Sequence, residues 1–239
     1  MKRLAMVLLL CGSAFADSGE EFRKAARAND VATVKRMLTA DPSLANGAVE
    51  AALYILVKGE GFVAPEENEI LKMVVAAKPK LDLYDAAAVG TAEQVAAMLR
   101  ADANAVRAVN QFGWTALHVA SFAGNVATAR VLIDAGADIH LRAKSRFRNT
   151  PLQVALLTGQ YATAKLLLER GADPLDRQAE GFAPIHEAAL LGRADLVQLL
   201  LDHGAEVNSR SDDGRTAISV AEKGKHEALV KLLREKGAK

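Results

Sequence analysis

The sequence predicts an all-α solenoid of about seven helix-turn-helix units, and three observations support this prediction. A four-residue segment recurs at steps of 35, 33 and 33 residues, at positions 115–118, 150–153, 183–186 and 216–219. A Gly-Ala pair keeps nearly the same spacing, starting at residues 136, 171, 204 and 237. Apolar pairs such as Val131 and Leu132 lie between these signals. Self-similarity at this period is typical of small stacked units, none of which can bury its apolar face alone.

The elements of one unit follow in order from Asn110. A turn containing Gly113 comes first, and Thr115 then provides a good N-cap for a short helix. That helix ends at Gly124, and a second helix carries the apolar pair and ends at Gly136. Glycine most easily takes the left-handed conformation that closes a helix. We expect the same order in the later units, whose closing glycines are Gly159, Gly171, Gly192 and Gly204.

This plan resembles the ankyrin repeat, and the match is specific from residue 110 to 239. The resemblance implies an ankyrin-repeat solenoid with β-turn fingers in the C-terminal half. Residues 22–46, 49–74 and 84–99 show the same two-helix pattern without the long turn, so the first three units are degenerate. We therefore expect one domain over residues 17–239, with degenerate repeats at 17–109 and well-matched repeats at 110–239.

Two departures from the repeat pattern predict local differences. Arg148 stands where the family usually has the turn glycine, and the step of 35 residues marks two extra residues nearby. We expect the turn at 144–149 to deviate from the usual hairpin. Gln153 and Ser219 replace the histidine of the repeated segment.

The first sixteen residues have the pattern of a cleavable signal peptide. Lys2 and Arg3 precede an apolar run at residues 4–10, and Ala14-Phe15-Ala16 has the small-x-small form of a cleavage site. The run is too short to span a bilayer. We expect cleavage after Ala16 and export.

The cysteine count indicates which compartment the exported chain reaches. Cys11 is the only cysteine and would leave with the signal peptide, so the mature chain has no disulfide. A bacterial periplasm fits this better than a disulfide-stabilised secreted eukaryotic domain. The sequence thus indicates an exported bacterial ankyrin-repeat protein, periplasmic or alternatively secreted.

The charge balance bears on the class of partner. With 30 basic and 29 acidic side chains, the net charge is +1, which argues against a dedicated nucleic-acid binder. We expect a protein partner, no nucleic acid, no stable membrane anchor, and a monomer before binding.

No residue pattern indicates catalysis, a cofactor or a metal site. His118 and His186 invite a catalytic or metal interpretation, but the resemblance implies that they form hydrogen bonds near the helix start and tie neighbouring units together. The other histidines show no ligand spacing, and the sequence contains no nucleophile turn or phosphate-binding glycine loop. We predict a protein that is not an enzyme.

Partner-binding residues are implied by the resemblance, because ankyrin proteins usually bind through turn tips and the outward face of each first helix. Large apolar side chains in such places tend to mark contact sites, and tryptophan and arginine are typical anchors. The alternative is that some rings contact the neighbouring turn of the same chain. The predicted residues are Phe112, Trp114, Phe122, Arg146, Phe147, Leu157, Phe182, Leu190 and Arg215.

A basic stretch lies beside these residues. Arg142, Lys144, Arg146 and Arg148 alternate with other residues, so an extended backbone would place four positive charges on one side. The stretch is either a solvated turn or a docking site for an acidic partner surface, where such charges would raise the association rate.

Two functions of different classes follow from these patterns. The first is a non-enzymatic interaction module outside the cytoplasm that binds a protein through the concave face of the stack, as an enzyme partner, an antitoxin-like inhibitor or a secreted effector. The second is an enzyme or ligand carrier with a pocket in the degenerate repeats, around Tyr54, Lys58 and Glu60.

Overall fold

The computed structural model describes residues 18–49, 68–110, 113–144 and 147–239. These residues form thirteen α-helices and two short 3-10 helices, and they contain no strand. The α-helices are α1 (Ser18–Arg27), α2 (Val31–Ala40), α3 (Glu69–Ala76), α4 (Leu83–Val89), α5 (Ala92–Ala101), α6 (Ala116–Ala123), α7 (Val126–Asp134), α8 (Pro151–Leu157), α9 (Tyr161–Glu169), α10 (Pro184–Leu190), α11 (Ala194–Asp202), α12 (Ala217–Lys223) and α13 (Glu227–Glu235).

The helices pair into stacked units, as the sequence predicts. Each unit from α4 onward has a first and a second helix, and both stack on the equivalent helices of the next unit. The first helices α4, α6, α8, α10 and α12 contact one another in sequence order, and so do the second helices α5, α7, α9, α11 and α13. Helices α1 and α2 form an earlier pair, and α2 contacts α3. The predicted first helix before α3 begins at Val49, and the remainder of that prediction lies outside the described residues.

The core runs continuously through the stack. Leu132, Leu167 and Leu200 occupy the same position in three successive second helices, and each is fully buried. Burying a leucine contributes about 1.5–3 kcal/mol. A second apolar cluster, built around Phe22, Val34 and Ile70, joins the earlier helices to the stack. The solenoid is therefore held by contacts between neighbouring units rather than by one central core.

In α6, α8 and α10, a side chain in the first turn caps the helix and also reaches the next unit. The Thr115 N–H donates to His118 Nδ1 at 3.2 Å, so Nε2 carries the proton and donates to the Asn149 carbonyl at 3.3 Å. Gln153 makes the same two bonds, accepting from Thr150 N at 3.0 Å and donating to the Asp176 carbonyl at 2.8 Å. The expected structural role of His118 is confirmed.

His186 makes the corresponding bridge one unit later. The Ala183 N–H donates to its Nδ1 at 3.1 Å, and its Nε2 lies 3.0 Å from both the Ser209 and Arg215 carbonyls. Burial lowers the pKa of His118 to about 4 and also lowers the pKa of His186. Both rings are therefore neutral at pH 7 and serve as hydrogen-bonding bridges.

Backbone bonds close four turns between units, which we call fingers and number in chain order: they join residues 110 and 114, 143 and 149, 178 and 182, and 211 and 215. Residues 111–112 and 145–146 of these segments lie outside the described ranges. In the third finger, Gln178 N donates to the Phe182 carbonyl at 3.0 Å and Gly181 N donates to the Gln178 carbonyl at 2.9 Å. The first and fourth fingers repeat this pattern. Neighbouring fingers are also joined directly, since Asp212 N donates to the Glu180 carbonyl at 3.4 Å.

The second finger deviates as predicted. Its closing bond runs from Ala143 N to the Asn149 carbonyl at 2.9 Å, two residues further along the chain than in the other fingers. Arg148 has φ +53°, where the glycines of the other fingers have φ between +71° and +80°. The longer loop thus places an arginine in the left-handed conformation, which few side chains adopt. The helix-closing glycines Gly136, Gly171 and Gly204 also have the expected positive φ.

A pH titration tests the role of His118. Since the folded pKa is near 4 and the ordinary value is 6.5, the unfolded chain binds a proton in this interval and the folded chain does not. The stabilisation is complete above the unfolded pKa and is lost as the pH falls toward the folded pKa. Lowering the pH from 7 to 5 should cost about 2 kcal/mol of unfolding free energy through this histidine.

The substitution His118→Gln isolates that contribution, because glutamine already makes the same two bonds at position 153. We expect the variant to fold and its urea unfolding free energy to depend less on pH than that of the wild type, by this same amount. An unchanged pH dependence would show that the buried ring is not the titrating group.

Finger spacing generates a second prediction, because a Cβ on Gly181 would lie 2.6 Å from the Asp212 backbone nitrogen. The equivalent Gly214 ends the finger row and has nothing within 4 Å of that position, although its φ of +80° is similar. Gly214→Ala should cost about 1 kcal/mol from the left-handed backbone alone. Gly181→Ala should cost about 1–3 kcal/mol more because the fingers must separate. Equal losses in chemical denaturation would contradict this close approach.

Candidate functional site

The predicted partner-binding residues fall into three groups. Trp114, Leu157, Leu190 and Arg215 are half-buried on the face made by the first helices and fingers, which we call the first-helix face. Phe112 and Arg146 lie outside the described residues. Three rings are nearly inaccessible: Phe122 is 5%, Phe147 6% and Phe182 2% exposed. The expectation that these three rings face solvent is wrong.

Phe182 is buried and contacts side chains of its own and the next unit. Its ring centroid lies 5.2 Å from that of His186, and the Arg215 guanidinium carbon lies 4.5 Å from its centroid. Asp213 holds this arginine through a 2.8 Å bond from Nε. A guanidinium over an aromatic face is attracted by the ring quadrupole. Arg215 and Phe182 therefore join the third and fourth fingers together.

Trp114 lies at the boundary between core and surface. Its ring centroid is 5.8 Å from that of Phe122 and 6.0 Å from that of His118. The indole thus lies near Phe122 and remains partly exposed itself. Trp114 is the aromatic side chain of the predicted set that stays accessible on the described part of this face.

One position in each first helix forms a row across the face. Counting from the repeated segment, Phe122, Leu157, Leu190 and Lys223 are equivalent residues on α6, α8, α10 and α12. Phe122 is buried, the two leucines are half-buried and Lys223 is exposed. Because α8 and α10 contact each other, Leu157 and Leu190 lie on adjacent helices. The centre of the row is apolar and its last member is charged.

A buried carboxylate in the neighbouring row escaped sequence analysis. Val119, Val154, Glu187 and Val220 are equivalent residues, and Glu187 is only 2% exposed. Gln178 of the third finger donates its side-chain N–H to Glu187 Oε1, which ties that finger to α10. The available signal was one charged residue at a position that is valine in three other units. A buried carboxylate needs such partners.

The basic stretch is less uniform than alternation predicts. Arg142 is half-buried, forms an ion pair with Asp176 and donates from Nη1 to the Arg148 carbonyl at 3.3 Å. Lys144 and Arg148 are exposed on the second finger. Arg142 therefore stabilises the backbone of the finger through its bond to the Arg148 carbonyl. Of the described basic side chains in this stretch, only those of Lys144 and Arg148 are exposed.

The described residues show no constellation of catalytic or metal-binding groups. No three His, Cys, Asp or Glu side chains in this part of the chain lie where they could share a metal ion. No helix among the described residues has the length and apolar character needed to cross a membrane. Tyr54, Lys58 and Glu60, the residues of the predicted N-terminal pocket, lie outside the described ranges.

Comparison with known families agrees with the repeat architecture. A family model of ankyrin repeats (3 copies) matches residues 83–178 and 175–239, about two thirds of the chain. The match begins at the first residue of α4, so it includes a unit that the sequence pattern left as degenerate. No curated protein matches the chain. Ankyrin repeats are in general protein–protein interaction modules and are typically non-enzymatic. The chain belongs to the ankyrin-repeat family.

Proposed function

We propose that this protein is a non-enzymatic module that binds a partner protein through the first-helix face, the concave face of an ankyrin stack. The observation that carries the proposal is the pair of half-buried leucines, Leu157 and Leu190, on adjacent first helices. Trp114, in the first finger, adds a half-buried ring to the same face. Partly exposed apolar side chains in one contiguous surface tend to mark contact sites.

Binding would draw its free energy from covering these side chains. About 25 cal/mol is gained for each Å² of apolar surface removed from water, and ordering flexible groups reduces the gain. The bridges made by His118, Gln153 and His186 hold neighbouring units in fixed positions before a partner arrives. Little conformational freedom remains to be lost on this side of the interface.

The two histidines that could suggest catalysis have a structural environment instead. His118 and His186, the two histidines of the repeated segment, are buried and their ring nitrogens are engaged by backbone groups. A general acid or base needs access to a substrate proton. These rings are therefore assigned to the repeat architecture rather than to catalysis.

The proposal places this binding outside the cytoplasm, in a bacterial periplasm, with the protein monomeric until it binds. Its support is the sequence pattern of residues 1–16, in which a basic start, a short apolar run and a small-x-small site follow one another. Secretion into the medium is the alternative destination of the same signal. The partner would then be an exported or extracellular protein.

Substituting the two leucines tests the binding face. Leu157→Ser with Leu190→Ser removes apolar area that a partner would cover, and we expect at least about a tenfold loss of partner affinity. The partner is first isolated from periplasmic extract with the wild-type protein and identified, and its affinity is then measured by calorimetry. Circular dichroism confirms that the variant is folded.

The matched control is Leu175→Ser, which changes a leucine that is 44% exposed in the connection after α9. This variant should bind as the wild type does. If the double variant also keeps full affinity while folded, the first-helix face is not the binding surface.

Export is tested by the mass of the protein recovered from the periplasm of a bacterial host. We expect a chain that begins at Asp17, because the pattern at 14–16 favours cleavage after Ala16. Ala16→Asp should block processing, since a charged residue does not fit the small-residue site, whereas Ala28→Asp should be processed normally. If the wild-type protein remains uncleaved in the cytoplasm of the host, export is refuted.

A further inference from the structure

We propose that the turn at Asn46 and Gly47 is a deamidation site, and that its isoaspartate product loosens the first helical unit from the stack. Asn46 caps the short 3-10 helix Pro42–Ala45 that follows α2, and Gly47 comes next. No other asparagine in the sequence precedes a glycine. The reaction needs no partner protein and is independent of the proposed binding function.

The reaction takes place within the chain and consumes only water. The backbone nitrogen of Gly47 gives its proton to solvent base and attacks Cγ of Asn46. A bond forms between these atoms, the bond from Cγ to Nδ2 breaks, and the nitrogen leaves as ammonia after taking a proton from water. Water then opens the cyclic succinimide at either carbonyl, which leaves aspartate or isoaspartate. Attack within one chain is favoured because the reacting atoms are already close together.

The nucleophile at this turn is not engaged by the fold. Within the described part of the chain, the Gly47 N–H donates to no acceptor. The three other exposed asparagines of that part are Asn29, Asn104 and Asn208. The residues that follow them all have a bonded N–H: Asp30 donates to the Ala25 carbonyl at 3.0 Å, Ala105 to Asp102 at 3.2 Å and Ser209 to Glu206 at 3.1 Å. Those bonds must break before the nitrogen can react, whereas Gly47 has none to break.

The carbonyl under attack is polarised by a backbone donor. The Lys80 N–H donates to Asn46 Oδ1 at 2.7 Å. Attack on Cγ places negative charge on that same oxygen, and a donor already aimed at it stabilises the charge. The bond also holds the side chain in place while the nitrogen of Gly47 approaches.

The backbone at Gly47 has room for the ring to close. Closure requires rotation about ψ of Asn46, which is 127° in the folded turn. Gly47 is exposed with φ +65°, and nothing lies within 4 Å of the position that a Cβ would occupy. Because glycine adopts many backbone conformations, this rotation meets little steric resistance.

Isoaspartate at this position disturbs the core beside it. The flanking residues Ala45, Ala48 and Val49 are at most 1% exposed and belong to the apolar cluster that joins the earlier helices to the stack. Isoaspartate continues the chain through its side-chain carbonyl, which adds one methylene group to the backbone. A longer connection between buried residues displaces at least one of them, and close-packed cores absorb such shifts poorly. The Asn46 bond to Lys80, which joins residues 34 positions apart, also loses its geometry.

Peptide mass spectrometry of the folded full chain tests the reaction. After incubation in mildly alkaline buffer, we expect an amide to become a carboxylate at residue 46 at least about tenfold faster than at Asn104 or Asn208, because only Gly47 offers an unbonded nitrogen. The rate should rise with pH, since the attacking nitrogen must lose its proton. Equal conversion at the three asparagines, or none at Asn46, would overturn the proposal.

A matched pair of glycine variants identifies the nucleophile. Gly47→Ala should slow the conversion of Asn46 by about tenfold, because the methyl group hinders the approach and restricts the backbone. Gly136→Ala introduces the same residue at a glycine that also has positive φ and open space around its Cβ position, and should leave the rate at Asn46 unchanged. If Gly47→Ala reacts as fast as the wild type, the proposed attack does not occur.

The two products test the structural consequence. Chromatography separates the isoaspartate and aspartate fractions of the same incubated protein, which differ only in the route of the backbone through residue 46. Amide hydrogens of α1 and α2 should exchange at least about tenfold faster in the isoaspartate fraction, while those of α8 to α11 should exchange equally in both. Identical exchange of α1 and α2 in the two fractions would show that the first unit is not loosened.

Discussion

The architecture depends on one hydrogen-bonding bridge that is repeated from unit to unit. In α6, α8 and α10, a side chain in the first turn accepts the backbone N–H of the cap residue and donates to a backbone carbonyl of the next unit. Histidine does this at positions 118 and 186, and glutamine does it at position 153. The bridge must be neutral and buried, because a buried polar group without partners is costly. It therefore fixes both the spacing of the units and the protonation state of the rings.

The contacts between units also determine which side chains stay accessible on the first-helix face. Phe182 contacts both His186 and Arg215, and Trp114 lies near Phe122. The side chains that remain partly accessible are those that point away from these contacts, notably Leu157 and Leu190. In the proposed binding mode, stability and recognition thus use different members of one aromatic and aliphatic set. The lengthened second finger carries two exposed basic residues, Lys144 and Arg148.

Local features of the sequence determined the fold. The period near 33 residues, the threonine caps and the glycines that require positive φ specify paired helices and turns, because each acts over only a few neighbouring residues. Those features also predicted the deviation of the second finger, where Arg148 adopts φ +53° in place of glycine. The role of His118 was implied by the resemblance to ankyrin repeats, and the bond from Thr115 N–H to its Nδ1 agrees with it.

Only the tertiary structure decided which residues of the candidate surface are accessible. The sequence does not distinguish three buried rings from exposed residues of fingers and first helices: Phe122, Phe147 and Phe182. They are buried because neighbouring units and helices cover them. Glu187 shows the same limit, since its partner Gln178 lies on a finger of the stack. The sequence by itself determined the repeated unit; the contacts between units, which join residues tens of positions apart, determined its surface. The period of the repeat specifies the backbone position of each side chain. Its exposure depends on which residues of the adjacent unit contact it.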